Sequence, residues 1–216
     1  NATSTAITID ASKNVGIGTA TPVGVLDVTG ADPALYIRDT KNITFVGGEE
    51  MGRLGWYVND ASGSGPRENA FIKSVNGSAG TTSSAELAFG TALANSAPTE
   101  KVRINSLGNV GIGTSPSAVL HVNTGSTVDN TSAVLIESTS SAISTAPDLA
   151  LYKNSATPAD NDYVGALWFY GNNSAGAEKA YGGITALSTD VTAGTEDGAL
   201  AFVTTRAGST GVEAMR

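Results

Sequence analysis

Four groups of residues in this 216-residue chain have types and spacings that could do chemistry. Gly16-Ile17-Gly18 and Gly111-Ile112-Gly113 each begin like the glycine fingerprint that cradles a dinucleotide pyrophosphate. That fingerprint needs a third glycine opening a helix, and Thr21 and Pro116 stand there instead, so phosphate binding is set aside. Asp160-Asn161-Asp162 with Gly165 matches the start of a calcium loop, but the later ligands and the distal glutamate are missing. A turn ahead of a strand at Val164 explains those residues more simply. His121 is the sole histidine and the chain has no cysteine, which leaves no zinc set. Asp39, Glu49, Glu50, Asp60, Glu68 and Glu178 are the carboxylates a glycan hydrolase would need in pairs, yet they are scattered and nothing in sequence pairs them. The expectation is a chain with no catalytic residues, no cofactor and no metal.

The aromatic clusters Trp56-Tyr57 and Trp168-Phe169-Tyr170 could contact sugars. Trp56 and Phe169 alternate with Leu54 and Leu167, which places them in a core. Tyr57, Trp168 and Tyr170 fall on the opposite face and are the candidate receptor contacts.

What could position such residues is bounded by composition. Charged residues are 15% of the chain, against a usual share of about 25%. Glycine is abundant, at 26 residues, and aromatics are only 6%. Few bulky groups are at hand to close a private core, so either repeats stack or several chains share one core. The net charge of −8 argues against nucleic acid and against anionic membrane surfaces. No apolar run reaches the ~18 residues of a membrane span, and Asn1-Ala2-Thr3-Ser4 does not open like a signal peptide. The lack of cysteine fits assembly in a reducing cytoplasm.

The elements are strands. Ile7 and Ile9 alternate, then Val15 and Ile17, then Leu26 and Val28. Further strands are expected at Leu35-Tyr36-Ile37, Ile43-Thr44-Phe45, Leu54 to Val58, Phe71 to Val75, Leu87-Ala88-Phe89 and Val102 to Ile104. No window has sustained helical spacing. One cassette occurs twice: Asn14-Val15-Gly16-Ile17-Gly18-Thr19 with Pro22 and Leu26-Asp27-Val28, and Asn109-Val110-Gly111-Ile112-Gly113-Thr114 with Pro116 and Leu120-His121-Val122. Alternate glycines leave one face of the strand bare. They admit a neighbouring backbone, or they form a tight turn. The copies extend outward: Met51 to Leu54 matches Val164 to Leu167, Glu86 to Phe89 matches Ala199 to Phe202, and Glu100 to Arg103 matches Glu213 to Arg216. An insertion is expected at 124–147, with an added strand at Ala133 to Ile136. Two tandem β-modules follow, 1–103 and 104–216. Since Arg216 stands where Arg103 does, a third copy is expected beyond it in a longer chain.

The run Glu100-Lys101-Val102-Arg103-Ile104-Asn105, then Gly108 to Thr114, then Pro116 and Leu120-His121-Val122, resembles bacteriophage tail fibre and tailspike proteins. In such proteins the pattern often lies upstream of a self-cleaving chaperone domain, which this sequence lacks. The resemblance covers some 25 residues per copy. It implies an all-β, elongated, intertwined homotrimeric fibre that supports attachment to the host surface. It also implies a place in the virion tail beside other tail proteins, with a host surface polysaccharide as a conceivable partner. The trimer core would hold Val15, Gly16, Ile17, Gly18, Leu26, Val28, Val110, Gly111, Ile112, Gly113, Leu120 and Val122. Two rival functions are a glycan-binding receptor-recognition module and a bacterial surface adhesin or filament subunit.

Overall fold

The computed structural model describes residues 6–40, 46–60, 65–78, 84–125, 133–141, 146–206 and 209–215. The expected strand at Ile43 to Phe45 lies outside them. The fold is all-β. Its strands are β1 (Ile7–Ile9), β2 (Val15–Ile17), β3 (Leu26–Val28), β4 (Glu50–Val58), β5 (Arg67–Asn76), β6 (Ala85–Thr91) and β7 (Thr99–Ile104). They continue as β8 (Val110–Ile112), β9 (Leu120–Val122), β10 (Asp162–Asn172), β11 (Glu178–Asp190), β12 (Asp197–Arg206) and β13 (Ser209–Met215). Three sheets form, in the orders β1-β2-β3, β4-β5-β6-β7-β8-β9 and β10-β11-β12-β13.

Pairing reproduces the sequence repeat. Val102 of β7 sits opposite Phe89 of β6, and Met215 of β13 sits opposite Phe202 of β12, 113 positions on in both cases. Each pair is followed by a bulge at the same place, Phe89/Gly90 and Phe202/Val203. The compact units, however, are Asn1–Leu135 and Ile136–Arg216. The division expected at 103/104 falls inside the first unit, because β7 both closes the β4–β7 meander and pairs with β8 of the second cassette.

Two expected strands join no sheet among the described residues. Residues 33–40 and 133–141 carry no strand assignment, although Leu35, Ile37, Val134 and Ile136 alternate as strand residues do. The buried apolar side chains lie on one face. In the first unit they are Phe71, Val75 and Ala88, while buried Asn76 at the end of β5 donates from its side-chain amide to the Val46 carbonyl at 3.1 Å. In the second, Ala180, Leu187, Ala201 and Val203 are buried, together with Thr185, whose hydroxyl donates to the Ala201 carbonyl at 3.4 Å.

Candidate functional site

Each cassette is a three-stranded knot. β2 pairs antiparallel with β1 and parallel with β3, and β8 does the same with β7 and β9. Parallel neighbours normally need a crossover of about a dozen residues or more. Here β2 ends at Ile17 and β3 starts at Leu26. The glycines make this short return fit. A Cβ on Gly16 would lie 2.6 Å from the Thr19 carbonyl oxygen, and one on Gly111 would press still closer to that of Thr114. Gly18 and Gly113 take φ of 77° and 73°, in the left-handed region that favours glycine, and their bare sides abut the Thr29 and Asn123 carbonyls. Close approach and tight turn are therefore both present, and the approaching backbone belongs to the chain itself. Gly16, Gly18, Gly111 and Gly113 serve the knot.

The knot is closed by matched bonds. Val15 N–H donates to the Val25 carbonyl and Val110 N–H to that of Val119, both at 2.8 Å. Asp27 and His121 do one job in the two copies. The Asp27 carboxylate accepts the Val23 N–H at 3.1 Å, and His121 Nδ1 faces the Ser117 N–H at 3.4 Å.

The aliphatic residues of the cassettes go elsewhere. Cross-strand partners share a sheet face, so register assigns them. Leu54, Ile72, Phe89, Val102, Ile112 and Val122 form one cross-strand row, and Leu87, Ile104, Val110 and Leu120 form a second beside it. Trp56 extends the same face. This face is apolar from β4 to β9, yet it is open: Leu54 is 49% exposed, Trp56 54%, Ile112 42% and Leu120 62%. In the first sheet Ile7, Ile17 and Val28 form a row, as do Ile9, Val15 and Leu26. Ile7, Ile9, Ile17 and Leu26 are exposed there too. In the second unit Leu167, Ile184, Phe202 and Met215 share a row, with Phe169 and Leu200 on the same face. Leu167, Phe169, Leu200, Phe202 and Met215 are all exposed. Trp56 and Phe169, expected in a core, thus lie on open apolar faces.

The opposite face of the six-stranded sheet is sealed by ion pairs over aromatic and small residues. Arg53 is held by Glu50 at 2.7 Å and by Glu68, and its guanidinium lies 4.5 Å from the Phe71 ring centre. Lys73 stands 5.0 Å from the same ring. Arg103 repeats the arrangement with Glu100, at 2.6 Å from Nε, and with Glu86. The hydrogen bond from Arg53 holds the Glu50 carboxyl below its ordinary range against the opposing effect of burial. The hydrogen bonds that Arg103 donates to Glu100 in turn push its guanidinium up. Phe71 lies over Gly90, its cross-strand partner. These Glu-x-x-Arg triads were invisible in sequence because the third member arrives from another strand. The recurrence of Glu-x-x-Arg at 50, 100 and 213 was the available signal.

Among the candidate receptor contacts, Tyr57 and Tyr170 are well exposed. Trp168 rests on Gly183 of its own sheet. Asp160 and Asp162 are engaged within the protein: Asp160 accepts the Val191 N–H at 3.0 Å, and Asp162 pairs with Lys153 at 2.9 Å. Asn161 between them has φ of 63°, as the expected turn requires. Among the described residues no cluster of three His, Cys, Asp or Glu could hold a metal ion, and no helix is long and apolar enough to cross a membrane.

No protein-family model matches the chain, and no curated protein matches it. Among solved structures, it is similar to the carboxy-terminal domain of the bacteriophage T5 L-shaped tail fibre. That likeness has a TM-score of 0.58 at 12% identity and covers 88% of this chain and 84% of the other. At that identity the likeness shows the fold: an all-β architecture of the kind seen in a phage tail fibre domain.

Proposed function

We propose that this chain is a structural segment of a phage tail fibre or related virion appendage. It works as a homotrimer whose copies bury their open apolar faces against one another. The observation that carries this is the row Leu54–Ile72–Phe89–Val102–Ile112–Val122. It is a continuous hydrophobic stripe that its own chain covers only in part: Ile37 reaches it beside Gly52, while Leu54 and Ile112 stay exposed. Each large apolar side chain moved from water into a seam contributes about 1.5–3 kcal/mol.

The number of copies, three, comes from the resemblance carried by the cassettes. In this role the protein lies in the virion tail, is assembled in the host cytoplasm, joins other tail proteins and supports host attachment mechanically, without catalysis. The test is Ile112→Asp, with mass read by light scattering. The trimer is expected to dissociate; a folded trimer that persists unchanged overturns the reading.

The exposure of Tyr57 and Tyr170 favours a second reading, contact with a host surface polysaccharide. Binding on a glycan array that is lost in Tyr57→Ala or Tyr170→Ala would support it. Silence across envelope sugars would remove it.

A further inference from the structure

Each unit carries an extended arm that belongs to no sheet. The arms share the pattern Pro-x-Leu-x-Ile/Leu: Pro33, Leu35 and Ile37 in the first, Pro147, Leu149 and Leu151 in the second. Each arm crosses the open apolar face of its own unit and seats its last aliphatic on a glycine of the first long strand. A Cβ on Gly52 would lie 2.9 Å from Ile37 Cγ2, and one on Gly165 would lie 3.2 Å from Leu151 Cβ. Beside the arms run grooves of about 470 Å³ and 240 Å³.

Among the described residues, no backbone–backbone hydrogen bond reaches residues 33–38 or 146–154. At the same time β4 and β10 each end their sheet, so among the described residues each presents a free edge. While the face is wet, water satisfies the arm's N–H and C=O groups. Once the face is covered, as the trimer reading on which this inference rests requires, those groups lose water and need protein partners. The described residues of the same chain supply none, but a second copy offers an edge of matching kind. The prolines fit, because proline is tolerated as the first residue of a strand, where no N–H is needed for the ladder.

We propose that the arms 33–38 and 147–153 are donor strands. Each pairs its main chain with the free edge of β4 or β10 of a second copy, so that neighbouring sheets are stitched through backbone hydrogen bonds as well as apolar contact.

The test is amide hydrogen exchange on the intact chain, read alongside its mass, for the native sequence and for Tyr36→Pro and Ala150→Pro. These substitutions remove one arm N–H each and leave the apolar positions intact. The expected result is a trimer in which arm amides exchange about 100-fold or more slower than in a free peptide. The proline variants should lose that protection and release copies at lower denaturant. A trimer whose arm amides exchange as fast as a free peptide overturns the donor-strand inference and leaves the shared core standing. A monomer overturns both.

Discussion

Trp168 lies across the bare backbone of Gly183, its direct cross-strand partner, and a Cβ there would stand 2.8 Å from Trp168 Cε3. The indole, itself 38% exposed, thereby covers the β11 backbone at Gly183. Gly183→Val should displace it at a cost of about 1–3 kcal/mol. In a Trp56→Phe background Trp168 is the sole tryptophan. Its emission should then shift to longer wavelength in the Val variant, and an unchanged spectrum would show that the ring does not rest on Gly183.

Arg103 joins Glu86 on β6 to Glu100 on its own strand. Removing the guanidinium leaves two carboxylates facing each other in a half-buried site. Arg103→Met should therefore lower unfolding free energy by about 2–3 kcal/mol. Adding Glu86→Gln and Glu100→Gln should restore part of it. Denaturant midpoints read both effects, and additive losses in the triple variant would contradict the triad.

Glu50 sets a pH dependence. Its folded-state carboxyl titrates below the ordinary 4.5, chiefly through the Arg53 hydrogen bond. In that window the unfolded chain binds more protons, so stability rises with pH. The contribution is fully present above 4.5 and is lost as pH falls through the lowered value. Melting temperature should drop less steeply on acidification in Glu50→Gln than in the native chain; parallel curves would argue against it.

Asp27 closes the first knot by accepting the Val23 N–H. Asp27→Ala should cost about 1 kcal/mol. Asp27→His should recover part of that, since His121 holds the same position in the second knot. Thermal melts compare the three, and a neutral Ala variant would remove the bond from the account.

Much of this architecture was legible because it is local. Alternation marked β4, β5, β6 and β7, and the cassettes announced themselves twice. The shared face of Val15 with Ile9 and of Val110 with Ile104 follows from the same alternation once register is known. The glycines were only half legible, since bare faces reveal a close approach but not whose backbone approaches. β11 escaped notice because Gly182-Gly183 interrupts its apolar alternation. The offset of 113 that relates β4 to β10 would have placed it opposite β5. Leu35 to Ile37 reads as a strand and yet has no ladder. Among the described residues it has no backbone partner, and the donor-strand inference supplies one from a second copy.

The central claim is that the open apolar faces are seams between identical copies. The most direct measurement is the mass of the native chain in solution by sedimentation equilibrium. The account predicts three times the 21.7 kDa chain mass, unchanged on dilution into the nanomolar range. A folded species of single-chain mass, with Ile112 and Leu54 open to solvent, would contradict it.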